Sequence, residues 1–387
     1  MIVDKLDSLS DYVRFGAVCK PWQFVALENK VKFLERKCYA QVPLLMVPTK
    51  DNSEEFRILY NITRDKIYDF QLWVPYKKRC SGSSYGWLFT VEENMGVTLL
   101  NPFSGSTIEL PSIMYVSKFE YHESDLEDIE VDIEYEYTPF DEPVLIEYQV
   151  HKAILSADPA LSPNDCIVTA IYSDRHQLAF IRPSDKDWTY VEDERFNVIF
   201  DVIYYKGKVF AVDYWGGVLM IDVNSRGRAS EAPQVKVIVP RIEVYAHRIC
   251  LVESSSGDLY NVQRFHSEIG YDLQHETSNF KVFKLLLQPN ENGMPERIEV
   301  KSLGGDAMFL GDSHSTCIST SKFPGCQPNS IYYIDDFFNF IVYPPYGYRD
   351  NGIFNVENGN FGTHYILDPS HMDMLPPIWI LPTVVGN

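Results

Sequence analysis

Four aspartates, Asp201, Asp213, Asp222 and Asp335, have the best claim to chemistry in this sequence. Two carboxylates facing each other across a sugar can hydrolyse a glycosidic bond, one as acid and the other as base or nucleophile. Spacing alone does not bring any two together, and Asp213 and Asp222 flank Gly216-Gly217, where turn formation explains them equally well. There is no Gly-x-Ser-x-Gly elbow, phosphate loop, His-Glu-x-x-His pair or EF-hand loop, and the nine histidines are scattered. The seven cysteines, Cys19, Cys38, Cys80, Cys166, Cys250, Cys317 and Cys326, never take the two-residue spacing of a zinc or redox motif. Reduced, mostly buried thiols of an intracellular protein fit that pattern. No catalytic residue, metal ligand or cofactor is expected.

Charge narrows the partners. With 54 acidic against 34 basic residues the net charge is −20, which argues against nucleic acid and anionic membranes, since those partners are held by Lys and Arg. Asp4, Lys5 and Asp7 interrupt the apolar residues that could have formed a signal-peptide core. The apolar stretch from Met374 to Asn387 is shorter than the roughly 20 residues of a membrane span and carries Pro376, Pro377 and Pro382, so a final strand is expected there. The expected location is cytoplasm or nucleus. A chain of 387 residues, 45% apolar, can bury a substantial core in fewer than three domains.

The elements that must position any site fall into two unequal parts. Ile2, Leu6, Leu9 and Val13 recur at helical steps with polar residues between them, predicting two short helices that meet near Ser8 to Ser10. The second, capped by Ser8 or Ser10, runs to about Lys20, where Pro21 disfavours helix for the residue before it. A further helix is predicted from Gln23 to Lys37, with Phe24, Leu27, Val31 and Leu34 along one stripe. Such stripes must be covered, either by another protein or by the β body of this chain.

The run Ser10-Asp11-Tyr12-Val13-Arg14-Phe15-Gly16-Ala17-Val18-Cys19-Lys20-Pro21-Trp22 resembles the second half of an F-box, whose usual ending is Arg-Phe-x-x-Val-Cys-Lys-x-Trp. An F-box lays apolar side chains into a groove on the Skp-type linker of a cullin ubiquitin ligase. The resemblance therefore implies linker contacts by Leu6, Leu9, Val13, Val18, Cys19 and Trp22. It also implies that residues 1–40 form an F-box-like segment truncated at its start, because the usual opening Leu-Pro pair would lie upstream of Met1.

From Phe56 onward the recurring unit is a strand of β-branched and aromatic residues, a turn of Gly, Asn, Asp or Ser, and a return strand. Gly86 to Val91 turns through Glu92 to Gly96 into Val97 to Pro102, and later hairpins turn at Gly216-Gly217 and Ser256-Gly257-Asp258. Units start about 30 to 60 residues apart, a loose form of the blade period of a β-propeller, in which radial repetition solves the exposed-edge problem. A mainly β fold, a degenerate β-propeller over residues 41–387 preceded by the helical segment, is the prediction; the repeats are too degenerate to count blades. Aspartates could then meet in a central channel, which keeps a carbohydrate-active enzyme as one alternative.

The segments Arg79 to Phe89, Leu99 to Gly105, Val202 to Asp213, Gly304 to Gly311 and Phe323 to Asp336 are together similar to the KIB-type β-propeller family of plant F-box proteins. That resemblance implies a substrate-recruiting adaptor of a cullin-type (SCF) ubiquitin ligase, with the propeller binding an unidentified client protein. A propeller that binds partners without a ligase link is the other alternative.

An acidic insert interrupts the blade rhythm. Residues 119–143 hold eleven Asp or Glu and no Lys or Arg. Glu130, Asp132, Glu134 and Glu136 alternate with Val131, Ile133, Tyr135 and Tyr137, so a strand with one acidic face and a solvated loop are both open. As a site, it would steer in a basic client.

Overall fold

Short apolar runs become strands because turn residues stop them every few positions. The computed structural model describes residues 2–6, 11, 14–16, 18–26, 29, 42–48, 56–72, 74, 79–92, 96–103, 105–113, 150–173, 176–191, 198–223, 233–241, 246–269, 274–288, 296–311, 315–334, 350–366 and 377–381. In chain order the strands are β1 (Leu44–Pro48), β2 (Arg57–Asn61) and β3 (Lys66–Leu72), then β4 (Cys80–Ser84), β5 (Trp87–Val91), β6 (Val97–Leu100) and β7 (Thr107–Leu110). Next come β8 (Val150–Leu155), β9 (Val168–Tyr172), β10 (Gln177–Ile181) and β11 (Thr189–Val191), followed by β12 (Ile199–Tyr205), β13 (Lys208–Asp213), β14 (Val218–Asp222) and β15 (Gln234–Val239). The last are β16 (Arg248–Glu253), β17 (Leu259–Ile269), β18 (Gln274–Leu286), β19 (Glu296–Val300), β20 (Asp306–Leu310), β21 (Thr316–Ser319), β22 (Ser330–Tyr333), β23 (Gly352–Asn355), β24 (Phe361–Gly362) and β25 (Ile378–Ile380).

They form six sheets, and the sheets are the blades of a propeller. Four blades follow the sequence: β4 to β7, β8 to β11, β12 to β15 and β16 to β19. The expected C-terminal strand is β25, which pairs Ile380 with Leu44 of β1 and so completes the blade of β1, β2 and β3. One blade departs from the hairpin pattern. Its order is β21-β20-β22-β23-β24, and β20 and β22 run parallel, so the chain enters at the second position and turns back to supply the inner strand. The strands β25, β4, β8, β12, β16 and β21 neighbour one another around the centre.

Both faces of a blade are covered by neighbouring blades, so successive residues serve different seams. Leu45 and Val47 pack with Phe309, Tyr332 and Trp379, whereas Leu44 and Met46 pack with Leu72, Cys80 and Leu88. Six buried clusters lie one in each of the six seams, which closes the ring. Polar clips cross the same seams. Trp188 donates from Nε1 to the Pro111 carbonyl (2.8 Å), Tyr205 donates its hydroxyl proton to the Gly257 carbonyl (2.7 Å), and Trp379 donates from Nε1 to the Leu310 carbonyl (3.0 Å). Arg264 donates to Asp350 Oδ2 (2.7 Å) and to the Ile334 carbonyl (3.0 Å).

Two faces result. The β4–β5 and β12–β13 hairpins turn on the first through Tyr85-Gly86 and Lys206-Gly207, all four with positive φ, the tight turn that matches strand twist. The junction of β25 with β1 lies there too, so the N-terminal segment joins the propeller at that face. The inner strands begin on the second face. There the chain leaves the described residues after Ile113 and returns to them at Val150; the acidic insert lies outside them.

Candidate functional site

The helical segment is the first candidate. Residues 2–5 form a 3-10 helix, and residues 14–16 and 20–26 are helical, with a bend at Val18. This corrects the expected boundary. The helix ends before Val18, and Pro21 falls in the first turn of the next helix, where its missing N–H would have had no partner and its fixed φ is already helical. Gln23 N–H donates to the Cys19 carbonyl (2.9 Å) as that turn closes. Phe15 stacks on Trp22 with centroids 4.6 Å apart, and Phe15 and Ala26 are buried.

Of the six predicted linker contacts, Leu6 is half-buried and Val18, Cys19 and Trp22 are exposed, while Leu9 and Val13 lie outside the described residues. Val18 is 61% exposed, Trp22 39% and Phe24 60%. Phe24, expected on one apolar stripe with Leu27, Val31 and Leu34, faces outward, and those three lie outside the described residues. Glu130, Asp132, Glu134 and Glu136 also lie outside them.

The aspartates are bound into the fold. Asp201, buried in β12, accepts from Lys152 Nζ of β8, from its neighbour Val202 N–H (2.8 Å) and from Leu251 N–H of β16 (2.8 Å). It thus joins three inner strands. Asp213 accepts from the N–H groups of Trp215 (3.1 Å) and Gly217 (2.8 Å) and from Arg241 Nε (2.7 Å), which makes it the organiser of the Gly216-Gly217 turn. Asp222 takes Lys208 Nζ at the opposite end of the blade, and Asp335 lies outside the described residues. None of the six described cysteines is in a disulfide, and burial raises the thiols of Cys166 and Cys326 to about 11. Among the described residues no three His, Cys, Asp or Glu are grouped to hold a metal ion, and no helix is long and apolar enough to cross a membrane.

One constellation escaped the sequence reading. On the second face, His151 at the start of β8 stacks on His176 of the β9–β10 turn, with centroids 3.8 Å apart and planes 23° from parallel. Each ring donates to a backbone carbonyl: His151 Nε2 to Ser173 (2.8 Å) and His176 Nδ1 to Ile199 (3.1 Å). Arg79, just before β4, donates to Ser81 Oγ (3.0 Å) and to the carbonyls of Val150 (2.6 Å) and His151 (3.1 Å). Burial, then the charges of His176, Arg79 and Arg248, holds His151 well below the usual histidine range. Burial also lowers His176 to about 4, with Arg248 adding to the effect. No local signal could reveal this group, because its members lie on separate strands far apart in sequence.

A family described as KIB1-4 beta-propeller matches residues 59–355 of the chain. The F-box protein SKIP23 of Arabidopsis thaliana is 23% identical, the match covering 98% of this chain and 93% of that protein. The Arabidopsis thaliana F-box protein At2g26160 is also 23% identical, over 87% of this chain and 92% of its own length. Among solved structures, the β-propeller domain of Myceliophteria thermophila Cps50 (Swd1) aligns over 82% of this chain and 84% of that one, at 10% identity and a TM-score of 0.35, too loose to carry an argument.

Proposed function

The chain belongs to the KIB1-4 β-propeller family, and we propose that it is a substrate-recruiting adaptor of a cullin-type (SCF) ubiquitin ligase. Residues 1–40 dock the Skp-type linker through Leu6, Leu9, Val13, Val18, Cys19 and Trp22, and residues 41–387 present a propeller to a client protein. The observation that carries this reading is the outward apolar surface of Val18, Trp22 and Phe24. A helix that packed on its own β body would bury these side chains, each worth about 1.5–3 kcal/mol of transfer free energy. The relatives named F-box proteins support it, since the SKIP23 match extends over 98% of this chain. The acidic run of Glu130, Asp132, Glu134 and Glu136 is read as the docking surface for a basic client, which it would attract by charge. The site of action is cytoplasm or nucleus.

Pull-down of a Skp-type linker by the full chain tests the proposal. Val18→Asp puts a charge on an exposed position and abolishes capture without unfolding the propeller; Trp22→Ala weakens it. A wild-type chain that captures no linker overturns the reading.

A further inference from the structure

Away from any surface an adaptor would use, the outer hairpin of the last blade carries a dipeptide that can react with itself. Asn-Gly pairs stand at 292–293, 351–352 and 358–359. In such a pair the asparagine carboxamide can swing onto the next backbone nitrogen, and glycine puts no Cβ in the way of that approach. Whether the pair reacts is then decided by water, base and backbone freedom, which the fold grants or withholds. The first pair lies outside the described residues.

The other two differ in setting. Gly352 is buried in β23, where it pairs with Tyr333 of β22, and a Cβ there would stand 2.8 Å from both the Gly362 carbonyl oxygen and the Tyr333 hydroxyl oxygen. Solvent base does not reach it. Glu357, Asn358, Gly359 and Asn360 are all exposed, in the turn between β23 and β24. There Asn358 Oδ1 accepts from Asn360 N–H (2.9 Å), an Asx turn that folds the carboxamide back over the Gly359 nitrogen and draws electron density from its carbonyl carbon. One bond opposes reaction, since Gly359 N–H donates to the Asn355 carbonyl (2.8 Å). The ladder behind this turn is short, Ile353 with Gly362 and Phe354 with Phe361, so the turn opens at less cost than a strand inside a blade.

We propose that Asn358 is a self-modifying site, whose side chain cyclises on the Gly359 nitrogen and then hydrolyses to isoaspartate and aspartate. Hydroxide removes the Gly359 amide proton, the nitrogen bonds to Asn358 Cγ, the Cγ–Nδ2 bond breaks, and the nitrogen leaves as ammonia after taking a proton from water. Water then opens the succinimide at either carbonyl; nothing is oxidised or reduced. Opening at the main-chain carbonyl leaves the chain running through the side chain, so isoaspartate adds a methylene to the backbone of the turn. Either product adds a negative charge next to Glu357, whose carboxylate accepts from Ser302 Oγ (3.0 Å). The site stands whether or not the helical segment docks a ligase.

The test is peptide mapping by mass spectrometry of the full chain, kept folded for several weeks at neutral and at mildly alkaline pH, with a separation that distinguishes isoaspartate from aspartate. Product at Asn358 exceeds that at Asn351 by more than about tenfold, the ratio given by about 1.4 kcal/mol of extra opening cost; it contains isoaspartate and it rises with pH. In denaturant both pairs are free and react at comparable rates. Asn358→Gln, whose carboxamide is a methylene farther from the backbone, suppresses product at that position in a folded chain. An Asn358 that stays intact, an Asn351 that reacts as fast in the fold or lags as far behind in denaturant, or a product made of aspartate alone overturns the proposal.

Discussion

Asp201 is where burial should outweigh charge pairing in setting a mutational cost. Its carboxylate and the Lys152 ammonium are both almost completely buried, and it also takes the backbone N–H groups of Val202 and Leu251. Asp201→Asn leaves an ammonium in the seam with no counter-charge, which costs about 3–5 kcal/mol. With an unfolding entropy scaled to 387 residues, that loss lowers the melting midpoint by roughly 4–6 °C. The control is Asp222→Asn, which breaks a pair of the same residue types whose side chains are 27–35% exposed and should cost less than about 1 kcal/mol. Denaturant unfolding followed by tryptophan fluorescence gives both numbers. The double substitution Lys152→Met with Asp201→Leu removes both charges and should recover much of the single-mutant loss, because an apolar pair needs no desolvation of ions. The reasoning fails if Asp201→Asn costs no more than Asp222→Asn.

Acid should weaken the fold before carboxylates are titrated. Burial holds His176 and His364 at about 4, so below the unfolded value of 6.5 the unfolded chain takes up protons first and stability falls as pH drops through that window; each group accounts for roughly 3 kcal/mol by its lower limit. Midpoints measured from pH 7 to pH 5 should decline, and less steeply in His364→Gln. At Gly82, a Cβ would run into the Ala153 carbonyl of the adjacent blade, so Gly82→Ala should cost about 1–3 kcal/mol by calorimetry. Both amide atoms of Asn261, fully buried in β17, lack a hydrogen-bond partner among the described residues; the near-isosteric Asn261→Leu should raise stability by about 1–2 kcal/mol, and a drop would mean that the amide is bonded.

The strands and turns were readable because their causes are local. Val218 to Asp222, for instance, is framed by Gly216-Gly217 within a few residues, and the helical N-terminus shows its own apolar spacing. The family resemblance was legible for the same reason, as ordered short segments. The Pro21 boundary was misplaced because proline both ends one helix and opens another, and sequence alone does not choose between the two roles.

By itself, then, the sequence determined a β body with a short helical lead and an acidic surplus. Tertiary structure decided the number of blades, the closure by β25, the parallel β20–β22 pairing and the burial of Asp201 between three inner strands. It alone brought Arg79, His151 and His176 together. The reason is physical: propensity and periodicity act over a few residues, whereas a seam joins groups such as Arg79 and Val150, 71 positions apart, whose meeting depends on how the whole ring closes.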